Sequence, residues 1–345
     1  MKPILAITLG DPAGIGPEIV VKALAQADAR RACVPVVIGD AHIVQRAIDL
    51  VQAPLRLVCA ADPAHAPDDP GVLTCIDQQA LAPEAFCAGV CSAACADASF
   101  RYITRAIAYA LAHQVDGIVT GPIHKEALHM AGHHYAGHTE IFAEYTRADT
   151  YAMLLTSGTL RVIHATTHVA LRDVGELITK ERVLHTIRLA HTALTMLGLP
   201  DATIGVAGLN PHSSEGGLFG QEEAEAILPA ILAARAEGIR VEGPVPPDTI
   251  FVKAVAGQYA MVVAMYHDQG HIPLKLHGFR MDAATGAFTS VGGVNTTIGL
   301  PILRASVDHG TAFDRAWKNT ANEESMVDAI LLAAQLAPYY RGSAG

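Results

Sequence analysis

Short apolar runs recur along the chain and alternate with stretches whose apolar positions return every three or four residues. ILAITL (4–9) precedes a helix predicted from about Pro17 to Ala27, and VPVVIG (34–39) precedes one beginning near Ala41. A long amphipathic segment from about Ser92 to His113 leads into GIVTGP (117–122). Further strand-like runs are YAMLLTS (151–157), LRVIHATTH (160–168), ATIGVAGLN (202–210) and YAMVVAMYH (259–267), with helices predicted at about 179–197 and 221–237. Apolar runs too short for helices, alternating with amphipathic helices, predict βαβ units and a largely parallel sheet, the α/β class. The Pro- and Asp-rich stretch ADPAHAPDDPG (61–71) reads as a surface loop, and neither an internal repeat nor a low-complexity linker interrupts the pattern.

Composition narrows the class. With 345 residues, 51% of them hydrophobic, the chain can bury a large core, and its length predicts two lobes. Charge, Gly or Pro breaks each apolar stretch before the roughly 18 residues that a membrane span needs. The N-terminus, MKPILAITLGDPAG, reaches Gly10 and Asp11 too soon for a secretory signal, so a cytoplasmic protein without membrane contact is expected. The formal net charge is −10, there is no Lys/Arg run and aromatic residues make up 5%, which argues against a nucleic-acid partner. An acidic chain that holds a small anionic substrate must do so with a few placed cations. Three of the six cysteines, Cys87, Cys91 and Cys95, are spaced by four, unlike the Cys-x2-Cys runs of iron–sulfur sites. They are expected to line a helical stripe as small packing residues.

Three groups of residues carry candidate chemistry. Gly10-Asp11-Pro12-Ala13-Gly14-Ile15-Gly16-Pro17-Glu18 follows the first strand and permits a tight turn into a helix with Pro17 in its first turn. It matches neither the dinucleotide fingerprint nor a Walker loop. Second, His168, His212 and His267 each come at the end of a strand-like run. Ligands of open α/β sheets bind beyond the carboxyl ends of strands, and three imidazoles with an open fourth position suit a catalytic divalent ion. His164 and His271 each lie four residues from a candidate, and the pattern alone leaves His164 in the set. No Glu follows the first His of the His164/His168 pair, which disfavours a metalloprotease. Third, the Gly137-His138-Thr139-Glu140 turn, Lys275, Asn295 and Arg304 form a set able to grip a carboxylate or phosphate, Arg as a fork and Lys as a point charge.

In order, GDPAGIGPE, TGPIHKEAL, GHTE, TTHVALRD, GLNPHSSEGG, AMYHDQG and GLPILRASVDHGTAFD resemble the 4-hydroxythreonine-4-phosphate dehydrogenase family, over residues 10–314. GDPAGIGPE and DHGTAFD also resemble the opening and the cofactor loop of isocitrate/isopropylmalate dehydrogenase-like proteins. The resemblance implies that fold: one lobe of residues 1–124 with 278–345, associated with the cofactor, a second of 125–277, carrying the metal and the dimer contact, and the active site in the cleft. It implies a homodimer whose metal site draws ligands from both subunits. The family's metal ligands fall on His168, His212 and His267. Its substrate contacts fall on His138, Thr139, Lys275, Asn295 and Arg304, and its cofactor loops on Gly14, His309, Gly310, Thr311 and Ala312. The implied activity is oxidation of a hydroxy acid by NAD or NADP with Zn2+, Mg2+ or Co2+, followed by decarboxylation. Asp248, Asp268 and Lys125 are the candidates for proton handling.

The chain departs from the family pattern twice. HGFRMDAATGAFTSVGGVN lengthens the connection between Lys275 and Asn295, with the extra residues at about 280–292, between two anion holders. Arg315-Ala316-Trp317-Lys318-Asn319 replaces the usual run after the cofactor loop. Phosphorylated substrates, 4-phosphohydroxy-L-threonine and threonate or erythronate 4-phosphate, come first because GHTE is kept. HDQGHIPLKL resembles the terephthalate cis-dihydrodiol dehydrogenase branch, the alternative. Phosphate acyltransferase-like chemistry or a non-catalytic metabolite-binding role is a more distant one.

Overall fold

The βαβ alternation is realised as parallel strand pairing in a computed structural model that describes residues 2–283 and 288–342. Up to residue 149 the strands are β1 (Ile4–Thr8), β2 (Val34–Gly39), β3 (Arg56–Cys59), β4 (Val72–Asp77) and β5 (Gly117–Thr120). The helices there are α1 (Gly16–Leu24), α2 (Ala27–Ala32), α3 (Ala41–Val51), α4 (Ala93–Leu111), α5 (Lys125–Met130) and α6 (His138–Thr146). Then follow β6 (Ala152–Ser157), β7 (Leu160–His164), β8 (Ile204–Ala207), β9 (Val241–Val245), β10 (Met261–Ala264), β11 (Phe279–Met281), β12 (Phe288–Val291) and β13 (Val294–Ile298). Their helices are α7 (Val174–Leu177), α8 (Lys180–Met196), α9 (Leu228–Ala236), α10 (Ile250–Val255) and α11 (His267–Gly278). Strand β14 (Arg304–Val307) and helix α12 (Glu324–Gly342) complete the order.

Two units result: Met1–Asp149 with Thr289–Val294 and Leu300–Gly345, and Thr150–Phe288 with Asn295–Gly299. Residues 125–149 fall in the first unit, not in a middle lobe starting at 125, because α5 and α6 pack against α4. Of the lengthened connection at 280–292, residues 284–287 lie outside the described residues. No helix among the described residues is long and apolar enough to cross a membrane.

In the first unit the strands run β3-β4-β2-β1-β5-β14, and each adjacent pair is parallel. The chain leaves β1 toward β2 and returns on its other side as β5, so the sheet reverses direction of growth between β1 and β5. Such a switch point opens a crevice beyond the carboxyl ends of its strands, and GDPAG lies there. The loops after β1, β5 and β14 interlock: Asp11 N donates to Pro122 O (2.9 Å) and Ile15 N to Thr311 O (2.9 Å). This approach leaves no room for side chains. A β-carbon on Gly16 would sit 1.9 Å from Leu9 O, and one on Gly10, at φ +70°, 2.3 Å from Pro122 O.

In the second unit the order is β13-β6-β7-β10-β8-β9. Strands β7, β10, β8 and β9 are mutually parallel, so the carboxyl ends of β7, β10 and β8 lie side by side. Both faces are buried with period two, as a sheet covered by helices requires. Ile163, Met261 and Val263 pack with α8 and α9, whereas Val162, Val262 and Ala264 face Ile250 of α10 and Leu274 of α11. Strands β6 and β7, by contrast, form an antiparallel hairpin closed by Gly158-Thr159, with Gly158 at φ 55°. A two-residue loop of this kind needs a positive φ, which Gly supplies.

Two further expectations are corrected. The run 160–168 is not one strand: β7 ends at His164, so His168 lies in the loop that follows it. The three cysteines do not line one helix. Ser92 caps α4 by accepting from Cys95 N (3.2 Å), which leaves Cys87 exposed and Cys91 half-buried in the preceding loop, and only Cys95 on the helix.

Gly16→Ala puts a methyl group into backbone that cannot retreat. It is expected to cost about 3 kcal/mol, read as a fall in Tm; an unchanged Tm would contradict the interlocked-loop packing.

Candidate active site

The first unit gathers groups whose chemistry suits an anion. Arg304 opens β14, opposite Ile118 of β5, and is buried. Its Nη2 donates to Thr120 Oγ1 (3.4 Å), and its guanidinium lies over the Phe142 ring at 5.7 Å from the centroid. Burial pulls its pKa down to about 10, against the favourable charge of Glu140, so it stays a cation at neutral pH. His138 begins α6 after Gly137. Burial first, and the charge of Arg304 second, hold its pKa well below the ordinary histidine value. Its Nε2 is buried without a hydrogen-bond partner. The first amides of a helix have no partners within it, so a cation, a neutral imidazole and a helix N-terminus share one place. Thr139 follows in the first turn of α6. Lys125 opens α5, with its Cε 3.9 Å from where a Gly137 β-carbon would lie.

The cofactor-loop candidates also meet in this unit. A β-carbon on Gly14 would lie 2.9 Å from Thr311 O, whereas one on Gly310 would meet nothing within 4 Å. His309, Gly310, Thr311 and Ala312 follow β14, and Ala312 adopts φ 42°. Gly14 is thus packed against the loop after β14, and Gly310 alone of the two leaves open space of the kind that the close backbone approach of a nucleotide's phosphates needs. The altered run after this loop is anchored, not loose: Trp317 Nε1 donates to Pro12 O (2.9 Å), its ring meets Phe86 edge-on (5.2 Å), and the Arg46 guanidinium covers both rings.

The second unit carries the histidines. His168, His212 and His267 lie beyond β7, β8 and β10, the three adjacent parallel strands. The rings of His168 and His267 face each other at 5.7 Å between centroids. His212 stands on a run of left-handed backbone, φ 52°, 55°, 64° and 49° from His212 through Glu215. Non-glycine residues held there cost roughly 1–3 kcal/mol each and mark sites where the surroundings over-determine the chain. Those surroundings are polar. Buried Glu223 accepts from Asn210 N (2.7 Å) and Asn210 Nδ2 (2.9 Å). Buried Gln269 accepts from Met265 N (2.7 Å) and donates to Gly208 O (2.7 Å), tying the loops after β8 and β10 together.

Two of the three imidazoles are oriented by carboxylates. His267 Nδ1 donates to Asp268 Oδ1 (2.6 Å) and His212 Nδ1 to Glu215 Oε2 (2.7 Å). A carboxylate on one ring nitrogen leaves the other with its lone pair, the arrangement found at metal-ligating histidines. The donor chemistry therefore fits a divalent ion. Within one chain, however, no three such side chains gather closely enough to hold one among the described residues. Asp248, exposed after β9, raises the His212 pKa after the larger effect of Glu215. Asp268 is held below the usual carboxylate range, chiefly by the His267 hydrogen bond. Lys275, its Nζ 5.5 Å from the Phe279 ring centroid, and Asn295 on β13 belong to this unit and not to that of Arg304.

Sequence reasoning missed Gln269 and Glu223 and assigned no role to His271, His164 or Asp11. Gln269 and Glu223 had weak signals, one amide within HDQG and one acid in a run of three. His271 and His164 stood as decoys; burial holds them neutral, with pKa values lowered to about 4 and about 3. Asp11 is fully buried, accepts from Ala13 N through Oδ1 (2.9 Å) and has no partner for Oδ2. An acid between two glycines at a strand end was its signal.

Comparison with known proteins gives concordant likenesses. Residues 31–333 match the family model described as pyridoxal phosphate biosynthetic protein PdxA. The D-threonate 4-phosphate dehydrogenase of Pectobacterium atrosepticum is 47% identical over 338 residues, 98% of this chain and 100% of the relative. The crystal structure of 4-hydroxythreonine-4-phosphate dehydrogenase from Klebsiella pneumoniae superposes with a TM-score of 0.85 at 45% identity, covering 98% of each chain. A terephthalate 1,2-cis-dihydrodiol dehydrogenase from Burkholderia xenovorans is more distant, at 31% identity and a TM-score of 0.67, covering 97% of this chain and 98% of that one.

Burial raises the Asp11 pKa from 3.8 to about 6. The folded state then binds more protons than the unfolded state between these values, so this contribution to stability is complete below pH 3.8 and is lost as pH rises through about 6. The loss amounts to about 3 kcal/mol. Asp11→Asn keeps the acceptor and cannot ionise, so its stability relative to wild type should improve from pH 4 to pH 7 in paired melts; a constant difference would refute this assignment.

Proposed function

The chain belongs to the PdxA family, and from that premise we propose that this dehydrogenase oxidises a 4-phosphorylated hydroxy acid with NAD(P) and a divalent metal ion. D-threonate 4-phosphate comes first, with 4-phosphohydroxy-L-threonine and erythronate 4-phosphate as its near relations, and oxidation is followed by loss of CO2. The observation that carries this reading is the pocket of Arg304, His138 and the α6 N-terminus, a buried cation beside a neutral imidazole. A terminal phosphate would take the guanidinium fork and the helix amides, and a neutral His138 adds a hydrogen bond without a second charge.

His168, His212 and His267 would hold the metal, a Zn2+, Mg2+ or Co2+ ion. It would supply Lewis-acid polarisation of the reacting hydroxyl. Asp268 and Glu215 act on orientation, since their carboxylates are engaged by His267 and His212. That leaves Lys125, beside the anion pocket, and Asp248, near His212, as the proton carriers. The nicotinamide cofactor would lie along Gly14 and residues 309–312.

A homodimer supplies what one chain lacks. Each histidine is followed by exposed apolar side chains: Leu171 (70% exposed) after His168, Leu218 (72%) and Phe219 after His212, and Leu276 (80%) after His267. Apolar surface concentrated beside candidate ligands supports a second copy seated there and completing the metal set.

Absorbance at 340 nm with NAD+ or NADP+, Zn2+ or Mg2+ and a panel of D-threonate 4-phosphate, 4-phosphohydroxy-L-threonine and the terephthalate dihydrodiol tests the reading. Turnover of the phosphorylated acids is expected; reduction with the dihydrodiol alone would overturn the phosphate assignment. Arg304→Lys keeps the charge and loses the fork, so kcat/KM should fall by roughly 30- to 150-fold, or about 2–3 kcal/mol, mainly through KM. Leu218→Asp should shift the protein from dimer to monomer in sedimentation and abolish metal binding. A wild-type monomer at micromolar concentration would exclude the shared site.

A further inference from the structure

His267 does not stand alone. Its ring is stacked on His271, 3.6 Å between centroids and 12° from parallel, and His271 in turn meets His164 at 4.9 Å. The stack is anchored at each level. His271 is buried, and its Nδ1 donates to the His267 carbonyl one turn back in α11 (2.9 Å). His164 ends β7, is 2% exposed, and its Nδ1 donates to Met153 O of the neighbouring β6 (3.2 Å). Between them lies Gly270, where a β-carbon would fall 2.2 Å from His164 Nε2, so only glycine admits the imidazole. Three rings thus run from the sheet to the partly exposed His267.

Resting on the reading of His267 as a metal ligand, we infer that His271, backed by His164, is a positioning residue that fixes the plane of the His267 ring and so the direction of its Nε2. Asp268 holds one edge of that ring through Nδ1, but a single hydrogen bond permits rotation about it. A flat partner on the ring face removes that freedom. A ligand whose lone pair is already aimed loses less on binding, and partners of this kind change metal affinity by about 10- to 100-fold.

Titrating the full-length, metal-stripped protein with Co2+, by calorimetry and by the visible d–d absorption of the bound ion, provides the test. Wild type should bind and give a defined band, and His267→Ala should lose both. His271→Ala should bind about 10- to 100-fold more weakly with a shifted band, while His271→Phe, which restores a flat face of similar size, should recover most of the affinity and the band. Wild-type binding and band in His271→Ala, with His267→Ala still silent, would overturn the positioning role alone. His271→Phe as impaired as His271→Ala would overturn the stacking basis. Undiminished Co2+ binding by His267→Ala would overturn the metal reading and this inference together.

Discussion

A parallel strand buried on both faces spends its amides on its neighbours and its side chains on the two layers that cover it. Only the loop beyond its carboxyl end is released from both demands. In the first unit the loops after β1, β5 and β14 crowd one point, and their amides and carbonyls pair with one another. In the second unit the loops after β7, β10 and β8 are side by side. The crowding dictates composition: Gly10, Gly14 and Gly16 in one unit, and Gly208 and Gly270 in the other, all stand where a β-carbon would strike a neighbour. The polar residues that remain at these loops are the ones available for chemistry.

Charge is distributed by the same economy. A chain with a net charge of −10 still offers one place suited to an anion. There a single buried guanidinium stands beside an imidazole that is kept neutral. The carboxylates closest to the candidate chemistry are occupied: Glu223 by Asn210, Glu215 by His212 and Asp268 by His267. Part of the negative charge near the histidines thus serves to aim them.

Much of this was legible in the chain. Period and run length found the helices and most central strands, because a sheet covered on both faces has continuous apolar strands. The hairpin at Gly158-Thr159 was passed over because each of its strands, read singly, looks like a member of a parallel sheet. The site was readable where a residue lay in a motif, as with Arg304, His138 and His267. It was not where function depends on long-range packing. Nothing local tells that Glu223 reaches Asn210, or that His164, at the end of β7, comes to lie against His271 of α11.

Trp317 carries a further consequence. It is the single tryptophan of the chain. Its indole is hydrogen-bonded to Pro12 of the first loop, lies under Arg46 and abuts Phe86, in the run that follows residues 309–312. Indole emission responds to the polarity and hydrogen bonding around the ring, so with excitation at the red edge of the absorption band, which passes over the nine tyrosines, the fluorescence originates beside one loop. The molecule carries its own optical reporter there, with no second tryptophan to dilute it and no label required.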